Sequence, residues 1–144
     1  MYKTEAGELH VLLVHPGGPF WAKKDAGAWT IPKGEFTEAE EPLTAARREF
    51  FEETGHRVTG ECLALTPLKQ KSGKRVHAWA TEGELDVTKL VSNTFEMEWP
   101  PGSGQLKQFP EIDKGRWFTV AEALEKILPS QQGFVTELEA LLKA

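Results

Sequence analysis

Three glutamates, Glu49, Glu52 and Glu53, stand at i, i+3 and i+4. On an α-helix that spacing puts their carboxylates on one side. Like charges so placed repel, at a cost of a few tenths of a kcal/mol per pair. Arg48, four residues before Glu52, is positioned to relieve part of it. Two uses fit such a face: a solvated acidic surface, or a nest of hard oxygen ligands for Mg²⁺ or Mn²⁺.

The element that must carry these acids is a helix over residues 41–54. Pro42 suits its first turn, where a missing N–H costs nothing, and Gly55 suits its C-terminal cap. A helical wheel gathers Leu43, Ala46, Phe50 and Thr54 into a core stripe, flanked by Arg47 and Phe51. The glutamates fall on the opposite side, with small Ala45 among them and open to solvent. Upstream, Glu8 to His15 reads as a buried strand stopped by Pro16-Gly17-Gly18-Pro19, and residues 20–28 as an irregular arm before a short strand, Trp29-Thr30-Ile31. Downstream, residues 58–68 and 75–85 read as strands joined by a basic turn, a hairpin pattern. Strands are expected at 93–99 and 116–118. Thr119 with Glu122 forms a capping box for a helix to about Leu128, and a last helix spans 130–142. That order implies a mixed α/β or α+β sandwich rather than a βαβ repeat, in one domain over residues 1–144.

Composition narrows the function. With 144 residues, 40% apolar and 27% charged, the chain can bury a true core. No apolar run suits a membrane span, and no apolar leader stands at the N-terminus. A single cysteine, Cys62, excludes an internal disulfide and a cysteine-cluster zinc site, and a cytoplasmic location is expected. Net charge −5 argues against a nucleic acid polymer as partner, though not against a small anionic ligand carried by metal ions. The histidines (10, 15, 56 and 77) lack metal-ligand spacing and read as structural.

Gly34, Glu40, Arg48-Glu49, Glu52-Glu53 and Gly55 together match G-x5-E-x7-R-E-U-x-E-E-x-G-U. This is the Nudix box, and the chain resembles the Nudix hydrolases. A chance match of the seven fixed positions is roughly one in 10⁵ for this composition. Phe50 and His56 depart from the two aliphatic positions. The lead-in Trp29-Thr30-Ile31-Pro32-Lys33-Gly34 and the stretch from Glu111 to Trp117 also look like family segments. The second is similar to the equivalent stretch in the asymmetric diadenosine tetraphosphate hydrolases.

The resemblance implies a Nudix fold, a mixed β-sheet sandwiched between helices. It also implies a divalent-metal-dependent pyrophosphohydrolase that cleaves a phosphoanhydride bond in nucleoside or dinucleoside polyphosphates. Glu49, Glu52 and Glu53 would hold Mg²⁺ or Mn²⁺, Arg48 would orient a glutamate, Glu40 would brace the loop, and a carbonyl beside Gly34 would face the metal. A further carboxylate is expected from Glu96, Glu98, Glu111 or Asp113, with Glu111 favoured. Lys33 is the first choice to meet phosphates. Lys71 and Lys74 follow, in the basic turn, with Lys23, Lys24, Lys69 and Arg75 as weaker choices. Trp79, Trp99 and Phe109 are the candidate flat partners for a base, Trp79 foremost. Lys71 stands where an ADP-ribose pyrophosphatase would carry proline, and the only tyrosine, Tyr2, is far from where dinucleoside tetraphosphate hydrolases often use one for stacking. Diphosphoinositol polyphosphate hydrolases share the P-K-G feature, and a non-catalytic Nudix-fold sensor is the remaining alternative. Either a monomer or a homodimer is compatible with these features.

Overall fold

The computed structural model describes residues 1–32, 40–69, 73 and 75–143. Its centre is β2 (Glu8–Pro16), whose stretch from Val11 to His15 is buried throughout. β2 is flanked antiparallel by β1 (Tyr2–Glu5) and by β9 (Ile112–Thr119). Burial on both faces explains why β2 is a continuous aliphatic run and not an alternating one. Side chains still alternate. Val11 and Leu13 join Trp29, Phe118 and Ile127 in one core cluster, while Leu12 joins Phe50, Leu85 and Trp117 in another.

Helices cover the two faces. α1 (Pro42–Thr54) brings Phe50 to the Leu12 cluster. α2 (Val120–Lys126) and α3 (Gln132–Lys143) bring Ala123, Val135 and Leu138 to the other. The expected sandwich is therefore present. α1 starts with Pro42 and ends at Gly55, whose φ of 77° is the left-handed conformation expected of a C-terminal cap. α2 carries the expected capping box between Thr119 and Glu122.

Other elements differ from expectation. The hairpin of 58–68 and 75–85 is reduced to two short antiparallel pairs, β3 (Leu63–Ala64) with β6 (Trp79–Ala80) and β4 (Leu68–Lys69) with β5 (Arg75–Val76). Pro67 lacks the N–H that a continuous ladder would need. Residues 81–83 turn away to pair with β1 instead, through Tyr2 N–H to the Thr81 carbonyl and Gly83 N–H to the Tyr2 carbonyl. β7 (Thr94–Glu98) is where a strand is expected, but its antiparallel partner β8 (Leu106–Pro110) is not foreseen. The segment Trp29 to Ile31 makes bridges to β2 and to Ile127 in place of a full strand.

Candidate functional site

The helix wheel needs one correction. Glu53 and Ala45 are buried, Glu53 at 8% exposure, whereas Phe51 lies 39% exposed beneath the Arg57 guanidinium. The acidic side of α1 therefore does not face open solvent. It faces a cavity of about 600 Å³, which Glu49, Glu53 and Glu111 line together with Trp21, Trp79 and Arg75. That volume is ordinary for a small-molecule site.

The three helix acids differ in surroundings. Glu52 is held by Arg48, whose Nη1 donates to both of its carboxylate oxygens at 3.0–3.1 Å. The same Nη1 lies 3.0 Å from Glu49 Oε1. The rest of the guanidinium is given to Glu40, with Nε donating to Oε2 at 2.7 Å and Nη2 to Oε1 at 2.8 Å. This fork-to-fork geometry is the strong form of an arginine–carboxylate pair. It raises the Arg48 pKa well above its ordinary value, chiefly through Glu40 and then Glu52. Arg48 thus joins Glu52 on α1 to Glu40 at the end of the box loop. Glu49 is shifted the other way. Burial pushes its carboxyl above the usual carboxylate range, Arg48 pulls it down, and the Glu52 charge adds to the rise.

Glu111 reaches the cavity through a relay of backbone hydrogen bonds. Asn93 N–H donates to the Glu52 carbonyl at 2.9 Å, Glu111 N–H to the Asn93 carbonyl at 2.8 Å, and Gly17 N–H to the Glu111 carbonyl at 2.8 Å. Two of α1's final carbonyls are thereby satisfied, since Val91 N–H also donates to the Thr54 carbonyl. Glu111 is thus fixed to α1 and to the end of β2 at once. Glu96 and Glu98 are exposed on β7, and Asp113 lies 2.9 Å from the Nδ1 of buried His15.

Lys33, Gly34, Lys71 and Lys74 lie outside the described residues. The segment 33–39 is flanked by anchored chain. Ile31 N–H donates to Gln131 Oε1 at 3.1 Å on one side, and Glu40 is gripped by Arg48 on the other. Trp79 lines the cavity from β6, while Phe109 lies on β8 and Trp99 directly after β7. Trp21, in the irregular arm, lines the cavity as well.

A family model for the NUDIX domain matches residues 3–138. The chain belongs to the Nudix hydrolase family. It is accordingly a pyrophosphohydrolase-type enzyme, acting on phosphoanhydride bonds. An RNA pyrophosphohydrolase from Rhizobium meliloti (strain 1021) is 31% identical over 128 residues, which cover 78% of this chain and 71% of that protein. One from Caulobacter vibrioides is 29% identical over 139 residues, covering 85% and 77%. Among solved structures, a C. elegans Ap4A hydrolase in a binary complex matches with a TM-score of 0.62 at 21% identity, over 99% of this chain and 92% of that one. The NUDIX domain of Shewanella oneidensis NrtR, complexed with ADP ribose, matches with a TM-score of 0.61 at 16% identity, over 98% and 82%. At these identities the structural likeness speaks for the Nudix fold.

Among the described residues no three acidic, histidine or cysteine side chains converge on a point that would grip an ion by themselves. The donor set nevertheless suits a hard cation. Glu49, Glu53 and Glu111 offer only oxygen donors around one cavity, and Glu49 carries a burial cost that a cation would offset. Mg²⁺ commonly takes one or two carboxylates and completes its shell with waters and substrate oxygens.

Proposed function

We propose that the enzyme is a Mg²⁺- or Mn²⁺-dependent pyrophosphohydrolase of small nucleoside or dinucleoside polyphosphates, working in the cavity beside α1. The observation that carries this reading is the shared lining by Glu49, Glu53 and Glu111, three carboxylates that would repel a polyphosphate without a bound cation. Glu49 and Glu53 would hold the metal from the helix and Glu111 from directly before β9, with a carbonyl beside Gly34 facing it. When bound, the metal supplies charge neutralisation, polarises the phosphoryl group and acidifies the attacking water.

The chain's own residues do the rest. Arg48 holds Glu52 and Glu40 in fixed orientation, so the acidic helix face keeps its geometry when substrate enters. Arg75 at the cavity wall, with Lys33, Lys71 and Lys74, would meet the phosphates, and Trp79 would flank the organic part of the substrate. A 5′ polyphosphate on RNA presents the same anhydride, and the RNA pyrophosphohydrolase relatives favour it as a second reading. Net charge −5 favours the small substrate.

One panel decides between them. Product release would be followed from nucleoside triphosphates, dinucleoside polyphosphates, diphosphoinositols and 5′-triphosphorylated RNA, with Mg²⁺, Mn²⁺ or EDTA. Glu53→Gln should cut metal-dependent turnover at least 100-fold, an effect of the size of losing one transition-state interaction, while the thermal transition is kept. Unchanged turnover refutes the site. Preference for RNA over every small substrate refutes the small-substrate reading.

A further inference from the structure

The arm between β2 and Trp29 is built with more care than a connector requires. Gly17 threads past Pro110 so closely that an added Cβ would stand 1.9 Å from the Pro110 carbonyl oxygen. Gly18, at φ +95°, faces the Phe95 ring of β7 with only 2.9 Å for a Cβ. Beyond these glycines the chain turns, with Trp21 N–H donating to the Gly18 carbonyl and Lys24 N–H to the Trp21 carbonyl. The far end is tied by His15 Nε2, 2.6 Å from the Lys24 carbonyl oxygen. Asp25 fixes it further by accepting from Trp29 Nε1 at 2.8 Å and pairing with Lys126.

What this fixed arm delivers to the cavity is one indole. Of the five tryptophans, Trp29 and Trp117 belong to the core clusters and Trp99 meets Phe20 edge-on at the surface. Trp79 is a strand residue in the cavity wall. Trp21 joins neither core cluster, is half-buried, and lines the same cavity as the acids. The Lys24 ammonium stands 5.1 Å from its ring centroid, which steadies the ring and puts a positive charge beside it. A flat aromatic surface with an adjacent cation, in a cavity that also holds carboxylates suited to a divalent ion, matches a ligand made of a planar ring joined to phosphate.

We propose that Trp21, held by the pinned arm and flanked by Lys24, is the stacking platform for the nucleobase of the substrate. This rests on the cavity being the substrate site. It deepens that reading by naming the residue and the arm that receive the base, a contact that a diphosphoinositol could not make.

The test is binding of AMP, which has no anhydride to cleave, against inorganic phosphate, which has no base, by calorimetry with Mg²⁺ present. The proteins are wild type, Trp21→Ala, Trp21→Leu and Trp21→Phe. Base–aromatic stacking sets the expected loss of AMP affinity at about five- to 100-fold for Ala and Leu. Phe should stay within about threefold of wild type, because it keeps a π-face. Phosphate affinity should not follow the series. If the Ala variant does not fold, the Leu and Phe pair carries the comparison, since both keep apolar bulk and only one keeps a ring. Equal AMP affinity for wild type and Leu overturns the inference, as does wild-type protein that fails to bind AMP at millimolar concentration. The two readings fail separately. Glu53-dependent turnover with no Trp21 effect sinks only the platform, whereas Trp21-dependent AMP binding with no anhydride cleaved sinks only the hydrolase site.

Discussion

Replacing Gly17 with alanine drives a methyl group into the Pro110 carbonyl. The ideal Cβ stands 1.9 Å from that oxygen and 2.9 Å from its carbon, whereas real Cβ contacts essentially never fall under 3.0 Å. The two backbones must therefore separate by about 1.1 Å at the oxygen, against rigid partners on each side. That movement breaks the 2.8 Å bond from Gly17 N–H to the Glu111 carbonyl. Overpacking costs about 1–3 kcal/mol and the lost hydrogen bond about 1 kcal/mol, so the variant should be less stable by about 2–4 kcal/mol. At roughly 3–4 °C per kcal/mol for a chain of this length, calorimetry should show Tm falling by about 6–15 °C. The displaced groups are Glu111 and the Trp21 arm, so kcat/KM should fall even where the protein remains folded. Gly60→Ala is the control, since its Cβ meets nothing closer than 3.7 Å and should leave Tm nearly unchanged. A Gly17→Ala protein melting within about 2 °C of wild type would show that the arm and the β7–β8 hairpin are not held as tightly as argued.

Two further outcomes are expected. Phe50→Ala removes the α1 anchor of the Leu12–Leu85 cluster and should cost about 3–5 kcal/mol in chemical denaturation, with a matching loss of activity because the acids ride on the same helix. Glu122 has its carboxyl held below the ordinary range by the Thr119 backbone N–H and then its hydroxyl. Its folded value being the lower one, its contribution to stability is present at neutral pH and is lost as pH falls through the folded value. Glu122→Ala should thus melt below wild type at pH 7, and the gap should close in acid when the two melting curves are compared across pH.

Legibility in the sequence followed burial. β2, α1 with its first-turn proline and its glycine C-cap, and the α2 capping box are visible because each has a local signature: an aliphatic run, a proline and a glycine at the right ends, a threonine three residues before a glutamate. β8 has none. Leu106-Lys107-Gln108-Phe109-Pro110 is almost wholly exposed and its strand form comes from pairing with β7, a non-local cause. The site divides the same way. Arg48 and the three helix acids follow from spacing along one helix, and Glu40 and Glu111 from resemblance alone. Trp21 was missed because nothing local marks it. Its place at the cavity depends on Gly17 fitting under Pro110 and on His15 and Asp25 holding residues several positions later.

Sharing one side of a helix does not give three acids the same surroundings. Glu49, Glu52 and Glu53 are indistinguishable by type and lie within one turn, yet Glu49 and Glu53 line the cavity while Glu52 does not. Glu52 instead spends both carboxylate oxygens on Arg48 and its backbone carbonyl on Asn93. Through Arg48 it is joined to Glu40 at the end of the box loop, and through Asn93 to Glu111 and so to Gly17 at the start of the arm. Glu111 is thus tied to that glutamate through one intermediate, and the start of the Trp21 arm through two. Among the charged residues of the box, then, Glu49 and Glu53 line the cavity, while Arg48 joins Glu52 to Glu40 in one hydrogen-bonded brace.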